Sequence, residues 1–70
     1  MNPAIDNFVV LRAKRNPRGD YTLLCHLPEN KATPWVTWTA ASVDGKDRMK
    51  GNYFFPEEET AAYEDYDARW

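Results

Sequence analysis

The run Pro56, Glu57, Glu58, Glu59 constrains the fold of this chain more than any other stretch of it. Proline fixes φ near the helical value and lacks the N–H that goes unpaired in a first turn, while carboxylates favour the positive end of the helix dipole. The run is therefore a helix start. No glycine or proline follows it, so the sequence predicts a helix over 56–70 that continues to the end of the chain. At about 100° per residue, Ala62, Tyr63, Tyr66 and Trp70 fall in one stripe, and Glu57, Ala61, Glu64, Asp65 and Ala68 fall on the opposite side. The expected helix turns its aromatic stripe inward and its carboxylates to solvent. Asp65 and Asp67 stand near the C-terminal end, where the dipole disfavours negative charge, and the Asp65 to Arg69 spacing offers local compensation.

Upstream of this helix the chain reads as strands and turns. Residues 1–6 form a lead-in with little pattern. Strand formers run over 8–13 and end in Lys14 and Arg15, and residues 16–20 combine Asn, Pro, Gly and Asp as a tight hairpin does. A second strand covers 21–27, a polar loop 28–34, and a third strand 35–41, where apolar and polar residues alternate with a period of two. Asp44 and Gly45 are a turn pair, and a short fourth strand at 52–55 leads to Pro56. The expected architecture is a single small domain over 1–70, α+β in class: a four-stranded antiparallel β-meander over 7–55, then one C-terminal helix on one face (ββββα). We expect Val9, Leu11, Leu23, Cys25, Leu27, Val36, Trp38 and Phe54 on the covered face. Phe8, Val10, Arg12, Leu24, His26, Trp35, Thr37, Thr39, Tyr53 and Phe55 then form an open face, and a slip of one residue exchanges the two.

With 70 residues and about 60% of the unfolded surface buried on folding, a core has to draw on three Trp, four Tyr and three Phe. The single Cys excludes an intramolecular disulfide. No apolar run marks a signal peptide or a membrane span, so a cytoplasmic location is expected. The net charge of −2 hides an asymmetry, with eight Lys or Arg against five Asp or Glu in residues 1–50 and one against six in residues 51–70.

The chemistry expected is that of binding and not of catalysis. Cys25 beside His26 is the one pair suggestive of a nucleophile and its base, but neighbours on a strand point to opposite faces, and no second His exists. One Cys and one His fall short of a zinc set, the carboxylates lack a calcium loop, and no glycine-rich phosphate loop is present. We therefore expect no enzyme, no cofactor and no metal. The open face, with Phe8, Arg12, His26, Trp35, Thr37 and Tyr53, suits a protein partner or self-association, with Trp35 and Tyr53 as anchors. The acidic helix face, with Glu57, Glu64 and Asp65, suits a basic partner. Single-stranded nucleic acid is the alternative, stacked on Trp35, Tyr53, Phe8 and Phe55 near Arg12, Lys14, Arg15 and Arg18, although a pI near 5.2 opposes it. A sheet that curls enough to bury both faces removes the open face altogether.

The segments PWVTW (34–38), DG (44–45) and GNYFF (51–55), followed by the helix of 62–69, resemble small uncharacterised bacterial proteins encoded by phages and conjugative or integrated mobile elements. The resemblance covers roughly residues 8–70. It implies a short intracellular accessory protein that binds another protein, such as a host enzyme or defence complex. In such proteins a His often stands where this chain has Asn52. Acidic inhibitors that imitate the charge of DNA are a related idea, for which Glu57, Glu58, Glu64, Asp65 and Asp67 would serve.

Overall fold

The computed structural model describes residues 8–69. Strands β1 (Val9–Arg15), β2 (Tyr21–His26), β3 (Trp35–Ala40) and β4 (Met49–Phe54) form one antiparallel sheet in the order β1-β2-β3-β4. A 3-10 turn (Pro56–Glu58) leads into the helix α1 (Glu59–Ala68), which packs on the sheet. The chain thus forms the expected ββββα meander. The lead-in expected at 1–6 and the inward position expected for Trp70 lie outside the described residues.

The β1–β2 hairpin closes as its sequence dictates. Gly19 takes φ +104°, open to it for lack of a Cβ, and its N–H donates to Asn16 O at 2.9 Å, while Asn16 N–H donates to Asp20 O at 2.7 Å. The Asn16 side chain is buried and satisfied on both sides, donating to Asp20 Oδ1 and accepting from Thr22 Oγ1. Arg18 and Asn16 together hold the Asp20 carboxyl below the usual carboxylate range.

The helix covers the face opposite to the one expected. Leu24, Ala62 and Tyr66 are buried together, with Trp35, Phe54 and Tyr63 packed around them, whereas Leu23, Cys25, Leu27, Val36 and Trp38 lie on the far side. Two extra residues account for the misplaced edge strands. The register slips between Val10 and Arg12, so Val9 sits opposite His26 and Val10 opposite Cys25. It slips again between Thr37 and Thr39, whose partners Asn52 and Met49 are three apart, and Lys50 adopts φ +57° there. Phe54 therefore shares the face of Trp35, and Tyr53 that of Val36 and Trp38. The turn into α1 is fixed to this side because Trp35 Nε1 donates to Pro56 O at 3.2 Å.

The second face is not left open. Leu23, Cys25, Leu27, Val36, Trp38 and Ala40 are buried, with Phe8 and Tyr21 against them. Phe8 meets Trp38 edge-on with ring centroids 5.3 Å apart, and the Arg48 guanidinium lies 4.8 Å from each of the two ring centroids. The β3–β4 connection folds back through Ala41 N–H to Lys46 O at 2.8 Å, bringing Gly45 against Phe8 so closely that a Cβ there would stand 2.6 Å from the ring. Both faces of β2 and β3 are thus buried, and the expected open face does not exist at the centre of the sheet.

The helix also stops earlier than predicted. Arg69 is extended (φ −91°, ψ 146°), although its N–H still donates to Asp65 O and Tyr66 O. Lys14 Nζ reaches Asp67 O at 3.3 Å, so a cation from β1 meets the negative end of the helix.

Candidate functional site

The helix–sheet seam gathers several of the residues that the sequence proposed for a partner. Thr37 is fully buried, and its hydroxyl donates to Asp65 Oδ2. Asn52 Nδ2 donates to both Asp65 oxygens at 3.3 and 3.4 Å, and Arg69 Nε lies 3.8 Å from Oδ2. Asp65 is thus turned toward the sheet, not to the outer helix face as expected, because Thr37 and Asn52 give its charge the donors that the C-terminal turn withholds. Arg69 Nη1 is buried in the same seam with no hydrogen-bond partner.

The flanking cations are used in the same way. The Arg12 guanidinium lies 5.2 Å from the centroid of Tyr63, and Lys14 Nζ 4.8 Å from that of Tyr66. His26 tilts against Trp35 with centroids 4.8 Å apart. Arg12, Trp35, Thr37 and Asp65 therefore meet at the edge of α1 or beneath it, where they hold the helix to the sheet, and His26 packs on Trp35 beside them. Trp35 is half-buried under this seam and not an exposed anchor.

The remaining predicted residues are elsewhere. Phe8 is half-buried on the second face, and Tyr53 is exposed there with its ring edge-on to Trp38 at 6.2 Å. Glu57 and Glu64 are exposed and form no ion pair among the described residues. Cys25 and His26 point to opposite faces, as the strand period requires. Among the described residues no group of three or more His, Cys, Asp or Glu is placed to hold a metal ion, and no helix is long and apolar enough to cross a membrane.

Burial pushes the Cys25 thiol up to about 12. In the unfolded chain the thiol ionises near its ordinary value of 9.0, so the burial of a neutral thiol is fully favourable below that pH and loses its contribution as pH rises toward 12. The Tyr66 phenol, raised by the same desolvation, acts in the same direction. Iodoacetamide at pH 8 is expected to modify Cys25 only at the rate of unfolding, and Cys25→Ala to flatten the fall in stability that sets in above the thiol's ordinary value of 9.0. Alkylation of the folded protein at the rate of a free thiol would contradict this burial.

Sequence reasoning placed Val10, Tyr53 and Phe55 on an open face but did not mark Val9, Leu11 or Met49 as exposed. The large apolar side chains that remain exposed on strands lie on the two outer ones: Val9 (49%), Val10 (37%) and Leu11 (39%) on β1, Met49 (53%) and Tyr53 (51%) on β4, with Phe55 (53%) just beyond. The signal was present in the topology, since a meander always leaves its first and last strands unpaired on one side. No family model, curated protein or solved structure matches the chain.

Proposed function

We propose that this chain is a non-enzymatic protein-binding module whose contact surface is the rim of its sheet. The observation that carries this reading is the distribution of exposed apolar area. The central strands are sealed on both faces, while Val9, Val10 and Leu11 on β1 and Met49, Tyr53 and Phe55 at β4 remain in solvent. Apart from Val43 in the β3–β4 connection, the exposed large apolar side chains lie at the two edges, where they offer a partner both side-chain contacts and unpaired backbone groups. The resemblance to phage and mobile-element proteins makes a protein of the host cell the natural partner.

Affinity capture from host lysate tests the reading. Proteins retained by the unaltered chain are expected to be lost from Val10→Asp or Tyr53→Asp, both changes at exposed side chains, in variants that keep the far-ultraviolet dichroism of the fold. Unchanged retention by both variants would refute the rim as the contact surface.

One observation favours a second reading. Tyr53 and Phe55 are exposed two residues apart, and Lys50 is exposed on the same strand as Tyr53, an arrangement able to stack bases and meet phosphates. Glu58 stands against it, since its carboxylate accepts from Phe55 N–H at 2.9 Å and places negative charge at that ring. Oligonucleotide retained in a steeply salt-dependent way would favour nucleic acid over protein.

A further inference from the structure

We infer that the outer edge of β1 accepts an added strand from an acidic partner, an extended segment running antiparallel to β1 with carboxylates opposite residues 12–15 and apolar residues opposite Val9, Val10 and Leu11. This rests on the reading of the chain as a rim-binding protein and specifies which edge is used and by what.

The backbone direction follows from the hairpin. Asn16 N–H donates to Asp20 O, and the register continues Arg15 to Tyr21 and Lys14 to Thr22. Bonding alternates along an antiparallel pair, so Lys14 and Arg12 turn their backbone groups toward β2, and Ala13 and Arg15 turn theirs outward. Every residue of β1 except Lys14 is exposed, and no described element lies beyond it. Its first part presents Val9, Val10 and Leu11, and its second part presents Arg12, Lys14 and Arg15.

Charge selects the occupant. The β1–β2 hairpin carries Arg12, Lys14, Arg15 and Arg18 against Asp20 alone, and Asp20 is already paired with Arg18 at 2.8 Å. A second copy brings Arg12, Lys14 and Arg15 of its own to the same edge and no carboxylate on the strand, so it cannot supply the counter-charge. A bulge and basic side chains commonly protect an edge from indiscriminate pairing. Here the exposed Arg15, beside Arg12 and Lys14 that reach from the strand to α1, favours a strand that brings carboxylates, and the bulge at Leu11 limits other pairings. The β4 edge offers less, because Lys50 at φ +57° and Pro56 bracket it and no comparable charge selects a partner.

The probe is a short fluorescent peptide in which alternating Asp and Glu precede alternating Val and Thr. Its controls are the same peptide with Lys for each acidic residue and the acidic peptide N-methylated at alternate amides. The acidic peptide is expected to bind the unaltered chain and to slow hydrogen exchange at the Ala13 and Arg15 amides by about tenfold or more. Neither control is expected to bind, and Arg15→Glu, a change at an exposed side chain, should weaken the acidic peptide about tenfold. Absence of binding, binding without protection of those two amides, or equal binding by Arg15→Glu would overturn strand addition at β1. If lysate proteins are still captured and lost with Val10→Asp while the peptide fails, strand addition falls and the rim reading stands. If rim variants capture as the unaltered chain does, the broader reading falls whatever the peptide does.

Discussion

Tyr66→Ala is expected to lower the stability of the fold by about 3 to 5 kcal/mol, the usual range for truncation of a buried aromatic. For a chain of 70 residues, whose whole stability is about 4 to 10 kcal/mol, that is near half of what holds it folded. Tyr66 is 7% exposed, and with Leu24 and Ala62 it makes up the buried centre of the helix–sheet contact. Its ring also carries Lys14, whose ammonium sits 4.8 Å from the centroid and reaches the last turn of the helix. Loss of the ring therefore removes core volume and the platform for the cation that meets the helix end. Tyr66→Phe keeps both and should cost less than about 1 kcal/mol, since it preserves the volume of the ring. Lys14→Ala should cost about 0.5 to 1 kcal/mol through the lost cation–π and helix-end contacts. Urea unfolding followed by far-ultraviolet dichroism checks the three variants together. Equal stability of Tyr66→Ala and the unaltered chain would mean that α1 does not pack through this ring.

The element order was legible because each element carries a local cause. Pro56 and the glutamates start the helix, Asn16 to Asp20 make the hairpin, and the alternation through Trp35 to Ala40 makes a strand. The stripe of Ala62, Tyr63 and Tyr66 was read correctly for the same reason. The faces of the edge strands were not legible, because single extra residues at Leu11 and Lys50 reverse the parity within β1 and β4, and a period of two in β2 and β3 does not say which of their faces the helix covers. Lys50 is a lysine in a left-handed conformation that the sequence does not announce. Asp65 was placed outward by helical period alone. Thr37 and Asn52 draw it inward, and they are 28 and 13 residues away in sequence. Of the partner residues proposed from the sequence, Arg12, Tyr53, Glu57 and Glu64 are exposed, and Trp35 and Thr37 are covered. Trp35 and Thr37 were taken for an open surface whose parity belonged to the helix side, and the exposed rim draws on both assigned faces, Val9 and Leu11 from one and Val10, Tyr53 and Phe55 from the other.

Trp38→Ala is expected to match Tyr66→Ala in size, at about 3 to 5 kcal/mol, although its ring lies on the side of the sheet away from the helix. Trp38 is 6% exposed and joins several elements on that side. Phe8 meets it edge-on, Tyr53 approaches from β4 at 6.2 Å, and Arg48 covers it from the β3–β4 connection. Its indole also lies over Gly51, where a Cβ would stand 2.6 Å from Nε1, so the ring supplies the cover that the glycine cannot. Truncation would expose Cys25 and Val36 beneath and release the connection that closes the second face. Cys25 gives this a direct readout, because its thiol would become reactive toward iodoacetamide at neutral pH without global unfolding. Trp35→Ala should cost less, since that ring is half-buried and loses one hydrogen bond, to Pro56 O. The ordering of the two tryptophans decides between a sheet sealed on both faces and one with a free aromatic surface. Trp38→Ala with nearly unaltered stability and an unreactive Cys25 would mean that the ring is not part of a core. The second face, and not the rim, would then be the surface on which to seek a partner.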